Sequence, residues 1–145
     1  MALEIKILKR GDETAFGRVA PGVFDEPVNA RLTEEFLTDP RHHIAVAIED
    51  DVIVGFVSAI DYVHPDKPRE LWINEVGVAP SHHRRGIGRQ VLECMLDHGR
   101  ALGCRQAWVL TERPNIAAMR LYRSASGIAH SPETVMFDFD LTPKE

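Results

Sequence analysis

A single mixed α/β domain over residues 1–145 is predicted by three features of the sequence. β-rich runs separated by short polar turns fill most of residues 42–78; a basic, glycine-bearing loop then runs straight into a stretch of helical periodicity; a further β-rich run follows that stretch at once. The early runs read as antiparallel strands, whereas a strand–loop–helix–strand unit implies some parallel pairing, so the sheet is mixed and mostly antiparallel. At 145 residues and 16.3 kDa the chain suits one compact domain with a real core and leaves no room for a second of ordinary size.

Taken in order, Leu3 to Leu8 alternate apolar and polar and predict a first strand. Thr14 to Val19 and Ala30 to Leu37 predict helices, the second capped by Asn29 and stopped by Asp39-Pro40. Ile44 to Ile48 and Val52 to Val63 predict a hairpin across Glu49-Asp50-Asp51, and the two prolines of His64 to Arg69 predict a loop. Leu71 to Val78 predicts a fourth strand. Ile87, Val91, Met95 and Leu102, widened by Leu92 and Leu96, mark an amphipathic helix that ends at Gly103. Gln106 to Leu110 predicts a fifth strand, Asn115 caps a helix from Ile116 to about Ser124, and Gly127-Ile128 with Thr134 to Leu141 supply the last strands. The expectation is a sheet of about six or seven strands flanked by about four helices.

Composition narrows the function. Hydrophobic residues at 44% and charged residues at 27% exclude a disordered tail or a fibre. The longest uncharged apolar run, Val52 to Ile60, is far short of the roughly 20 residues a membrane helix needs. Charged residues interrupt the first ten positions where a signal peptide would be apolar, so a cytoplasmic protein with no membrane partner is expected. A net charge of −5 argues against a nucleic-acid partner and favours cationic small molecules. Cys94 and Cys104 show no metal-ligand spacing, so no metal is expected; both read as reduced apolar residues.

The most informative stretch is Val76 to Leu92. A strand ends, a turn built on Gly86 and Gly88 frees backbone amides, and a helix N-terminus follows with Arg84, Arg85 and Arg89 around it and His82 and His83 beside it. Converging amides and the helix dipole make an anion pocket suited to a diphosphate. A nucleotide-triphosphate loop would need Lys-Ser/Thr after the second glycine, where Arg89-Gln90 stands. A dinucleotide loop wants a third glycine, where Val91 stands. A coenzyme A pyrophosphate needs only the two glycines and basic neighbours.

Pro80 to Gly88 resembles the acetyl-CoA-binding loop of the GNAT superfamily of N-acetyltransferases, a Gln/Arg-x-x-Gly-x-Gly/Ala pattern, with His83 at the Gln/Arg place. The likeness extends through Ile73 to Val78 before the loop and Asn115-x-x-Ala-x-x-Leu-Tyr after it. Within the superfamily, His83-Arg84-Arg85 and Met136 to Asp140 resemble aminoglycoside acetyltransferases of the 3-amino type. The resemblance implies acetyl-CoA as cosubstrate, held by Val76, Gly77, Val78, His83, Arg84, Arg85, Gly86, Ile87, Gly88, Arg89 and Asn115. It also implies that the fourth strand splays from the fifth, with main-chain groups of Val76 and Val78 on the pantetheine arm and the Val76 amide on the thioester carbonyl.

Transfer of acetyl to an amine also needs a base and a proton for the leaving thiolate. If Asn74 and Val76 face one way, Glu75 faces the other, toward a substrate cleft; an acid on an apolar strand suits a base near neutral pH, unless it pairs with a local arginine such as Arg69. Glu112, at the end of the fifth strand, is the alternative base or a contact for a cationic substrate. Tyr122 fits the acid, since a phenol of pKa about 10 protonates a thiolate of about 8.5 at modest cost; a core tyrosine is the other reading. Asp25 and Glu26 are candidate contacts for the acceptor, a small-molecule or peptide amine. Neither cysteine has a His and acid neighbour, which points to direct transfer in a ternary complex without an acyl-enzyme. The competing class is a non-catalytic acyl-CoA-binding sensor. The family is often dimeric, and Thr134 to Leu141 is a candidate edge to pair across a homodimer.

Overall fold

The computed structural model describes residues 2–130 and 132–144; Met1, Ser131 and Glu145 of the expected 1–145 domain lie outside the described residues. Strands β1 (Leu3–Ile7), β2 (His42–Glu49), β3 (Val52–His64), β4 (Lys67–Val78) and β5 (Gln106–Val109) form one sheet in the order β1-β2-β3-β4-β5. The first four pair antiparallel and β5 joins β4 in parallel, as a mixed sheet requires. Helices are α1 (Ala30–Thr38), α2 (Ile87–Ala101) and α3 (Ile116–Ser124), with short 3-10 turns at Glu13–Gly17 and Pro80–His82.

Local chemistry places several boundaries where the residues demand them. The Leu32 amide donates to Asn29 Oδ1 at 3.0 Å and the Ala118 amide to Asn115 Oδ1 at 3.1 Å, so both asparagines cap their helices. Asp50 and Asp51, with φ of 54° and 63°, make the tight turn from β2 to β3. The stretch expected to be a loop, His64 to Arg69, is instead a hairpin whose turn is only Pro65-Asp66, because β4 begins at Lys67. Pro68 sits where the register shifts between Tyr62 and His64, a bulge that spares the ladder a missing amide. The helix expected over Thr14 to Val19 is only a 3-10 turn, Glu13–Gly17, after which Val19 bridges to Ile53. The predicted last strands are absent: among the described residues none after Ser124 is in a helix or strand, so the sheet has five strands and the helices number three.

The sheet has a core on each face. Against α2, Ala45, Ala47, Val57, Ala59, Leu71 and Ile73 meet Ile87, Val91, Leu92 and Met95. On the other face Ile44, Val46, Ile53 and Phe56 meet Leu37 of α1 and Val23. Ile53, Leu71, Ile87 and Met95 are fully buried, each stabilising by about 2 kcal/mol. On the α2 side a polar chain with His43 and Asp61 buried at its centre crosses the strands. His43 of β2 hydrogen-bonds Asp61 of β3 at 2.6 Å, Arg69 of β4 donates to the same carboxylate, and His98 of α2 meets the other His43 nitrogen at 3.0 Å.

Candidate active site

Strand β4 organises the site. Its pairing with β5 runs only from Glu70 to Ile73, while its pairing with β3 continues to Val78. From Asn74 onward, among the described residues, the β5-facing edge of β4 therefore has no strand against it. Val76 and Val78 pack on the α2-side core, as do Leu121 and Tyr122 of α3.

The register shift between Ser58 and Ala59 inserts Asn74 as an extra residue. It re-aims the end of the strand. Before it, Leu71 and Ile73 face α2 and Trp72 faces away; after it, Glu75 lies opposite Ser58 and Gly77 opposite Phe56, both on the face away from α2. Glu75 thus faces opposite to Val76, as the alternation predicts, but it is the bulge that puts it on the same face as Trp72. It is exposed, and it makes no ion pair among the described residues; Arg69, its suggested partner, is engaged by Asp61. Gly77 is confined: a Cβ there would run into the Val23 carbonyl and the Phe56 ring. That close approach brings Asp25 and Glu26 to this face, in an open groove with Phe16, Phe24 and Val28.

The loop before α2 is shaped as the residues suggest but charged differently. Gly86 takes a left-handed φ of 75° as the residue before the helix, and a Cβ there would meet nothing within 4 Å, so its backbone borders open space. Gly88 lies against Leu121 of α3. Arg85 does not project freely: it donates to Glu49 Oε2 at 2.7 Å, with His82 on the other oxygen at 3.0 Å, and these bonds hold the Glu49 carboxyl at about 2. Arg89 pairs with Glu93 at 2.9 Å, one turn on. Arg84 alone of the three is exposed with no ion pair among the described residues. His83 donates through Nε2 to the Val78 carbonyl at 3.0 Å, tying the loop back to the end of β4.

Tyr122 is half-buried, and burial pushes its phenol above the usual value, keeping it protonated over a wide range. Glu112 is exposed in the loop after β5, where its carbonyl accepts from the Asn115 amide at 2.9 Å. Burial, and then Asp97, raises the Cys94 thiol; burial, and then Asp61, raises Cys104. Neither is an activated nucleophile.

One feature of this face escaped the sequence reading. Trp72 and Trp108 lie directly opposite in the β4–β5 register and stack at 4.9 Å with 7° between planes. Tyr62 Oη accepts from Trp108 Nε1 at 2.7 Å and fixes the pair, leaving Trp72 38% exposed. The alternation of Leu71-Trp72-Ile73 shows that Trp72 faces away from the α2 core, but only the parallel register brings Trp108 beside it.

Residues 13–127 match the model of the acetyltransferase (GNAT) family. An N-alpha-acetyltransferase RimI of Mycobacterium tuberculosis is 31% identical over 122 residues, spanning 83% of this chain and 75% of its own. A mycothiol acetyltransferase of Saccharopolyspora erythraea is 31% identical over 121 residues, 77% of this chain, and the match spans only 39% of that protein. Among solved structures, the aminoglycoside acetyltransferase meta-AAC0020 from a soil metagenomic sample, in complex with sisomicin, superposes with a TM-score of 0.82 at 18% identity, covering 97% of both chains. The aminoglycoside N-acetyltransferase AAC(6')-Iy in complex with CoA gives 0.73 at 21% identity, covering 97% of this chain and 96% of its own. These two likenesses are of fold; the 3-amino type suggested by the sequence is named by neither, and one is a 6' enzyme.

Proposed function

The chain belongs to the acetyltransferase (GNAT) family, and on that premise we propose that it is an acyltransferase moving acetyl from acetyl-CoA to a primary amine by direct transfer. The observation that carries this reading is the open edge of β4 beyond Ile73, beside the Gly86 turn. An unpaired strand edge offers main-chain donors and acceptors to an extended ligand, and the turn offers amides to a diphosphate. The residues present fit the group: the backbone at Gly86 borders open space, and Arg84 has no carboxylate to neutralise it among the described residues.

Acetyl-CoA supplies the activated thioester. Gly86, Ile87 and Gly88 present amides to its diphosphate, with Arg84 as the free cation, and His83 holds the loop in place through Val78. Arg85 and Arg89 act at one remove, since each is neutralised by its own carboxylate. The Val76 amide donates to the carbonyl oxygen, where negative charge develops. Glu75 takes a proton from the acceptor ammonium, directly or through water, and the free amine forms the new C–N bond. As the C–S bond breaks, Tyr122 gives its proton to sulfur; a phenol kept protonated by burial is ready for this role. Asn115 keeps α3 starting at the correct residue and so sets where Tyr122 stands.

For the acceptor, a flat indole pair beside Glu75 suits a ring or hydrocarbon body carrying a cationic amine, with Glu112, Asp25 and Glu26 adding negative potential. An aminoglycoside-like amine has that chemistry. Thiol release from acetyl-CoA, followed across aminoglycosides, polyamines, amino acids and peptides, tests the reading. Turnover of aminoglycosides is expected, and the acetylated nitrogen of the product decides between the 3-amino and 6' positions. Coenzyme binding with no turnover of any amine would overturn it in favour of a sensor.

A further inference from the structure

We propose that His43 and His98 form an acid-sensitive latch that holds the end of α2, and with it the start of β5, against the sheet. The latch closes the last row of the α2-facing surface. His43, Asp61 and Arg69 stand two residues along their strands from the core positions Ala45, Ala59 and Leu71, so they share the face on which α2 lies. His98 reaches this row because Gly99 lets the helix sit low: a Cβ there would come within 2.9 Å of Leu71 Cδ2. The Cys104 amide donates to the Gly99 carbonyl at 2.9 Å, and the Arg105 amide to the Arg69 carbonyl at 3.0 Å. The turn into β5 is thus fixed to both the helix and the row.

The hydrogens of the row can be placed one by one. Burial raises the Asp61 carboxyl, but His43 and Arg69 outweigh it and keep it ionised, so it only accepts; His43 Nε2 donates to it across 2.6 Å. A neutral His43 then has a lone pair on Nδ1, and His98 Nε2 donates to it across 3.0 Å. One added proton leaves this bond standing, because a single hydrogen still lies between the rings whichever imidazole is charged. A second proton puts a hydrogen on each facing nitrogen, and the bond becomes a repulsion between two cations with ring centres 4.8 Å apart. The groups around the pair are Lys9 after β1, Asp61 on β3, Arg69 on β4 and Cys104 before β5; Asp97, beside His98, is turned to Arg100. Burial first, then the charges of His43 and Lys9, lower the His98 imidazole below its usual value, with Asp61 opposing them. A lowered imidazole contributes stability that is full above the unfolded value of about 6.5 and is lost as pH falls toward the folded one. The latch is therefore closed at neutral pH and opens in acid. Since β5 carries Trp108, the opening reaches the indole stack.

His98→Gln tests this, because an amide keeps a donor and an acceptor for His43 Nδ1 but does not titrate. Between about pH 7.5 and about pH 5, exchange of the Cys104 and Arg105 amides, corrected for its intrinsic pH dependence, should quicken about tenfold in the parent and stay level in the variant. The near-ultraviolet circular dichroism of Trp72 and Trp108, the chain's two tryptophans, should weaken in the parent alone. Nitrogen-15 spectra of the parent should show both imidazoles as Nε2–H tautomers in mild base, and His98 titrating below its ordinary value. A parent whose exchange and indole signal are steady in acid, a variant that opens as readily as the parent, or a His98 of ordinary titration would each overturn the proposal. If the variant does not fold, the tautomers and titration of the parent still decide.

Discussion

Residues 8 to 99 contain every buried position among the described residues, and nothing after Gly99 is buried at all. In the first region each strand except β1 has a neighbour on both sides, both sheet faces are covered, and a polar chain links β2, β3, β4 and α2. In the second, among the described residues, β5 has one neighbour, α3 contributes half-buried residues to a core built by others, and nothing after Ser124 is in a helix or strand. The difference separates a part of the chain whose contacts are complete from a part that leaves surface open. Stability should therefore reside in the buried interior of the first region, and turnover should depend on the exposed end of β4 and the loop before α2 together with the second region.

The sharpest way to break that division is at Asp61. Replacing it with alanine leaves buried His43 without its carboxylate, and Arg69 falls back to solvent; a loss of about 3 kcal/mol in unfolding free energy by urea titration is expected. Asp61 also has a pH signature. Burial raises its carboxyl, but the bonds and charges of His43 and Arg69 outweigh burial and hold it below the usual carboxylate range. A lowered folded-state value stabilises above the unfolded value of about 3.9 and fades as pH falls through the folded one, so Asp61→Asn should flatten the acid side of the stability profile.

Tyr122→Phe works in the other region. It should lower kcat about a hundredfold, equal to about 2.7 kcal/mol, with KM for acetyl-CoA and the melting temperature nearly unchanged. A large fall in melting temperature would show that Tyr122 belongs to the core after all. Trp72→Ala should raise KM for the acceptor about tenfold and leave acetyl-CoA untouched. Equal losses for both substrates would mean that the indole pair only supports β5. The smallest change is expected from Glu49→Gln. Releasing Arg85 should tighten acetyl-CoA about twofold at low salt and less at high salt. An unchanged KM would show that Arg85 points away from the diphosphate even when free.

The same division explains what the sequence discloses. Asn29, Asn115 and Gly103 mark helix ends by contacts within a few residues, so they are legible without knowing the fold. The bulge at Asn74 is not, because a bulge is a property of two strands and only β3 reveals which residue is extra. The Trp72–Trp108 stack is hidden for the same reason, through a parallel register 36 positions apart in number. Likewise Arg85 reads as a phosphate ligand until Glu49, brought over from β2, is seen to hold it. Thr134 to Leu141 is the instructive failure: its alternation is that of a strand, but a strand exists only when paired, and among the described residues no strand pairs with it.

The open edge of β4 has one more consequence, visible without any ligand. In an antiparallel pair alternate residues of a strand bond to the neighbour, and those between point outward. Along 74–78 only the β3 side is bonded, so amide hydrogens there should exchange with solvent in a two-residue rhythm, slow then fast. Along 70–73, with strands on both sides, the rhythm should vanish and all should exchange slowly. The point along β4 where one pattern gives way to the other would locate the mouth of the cleft in solution.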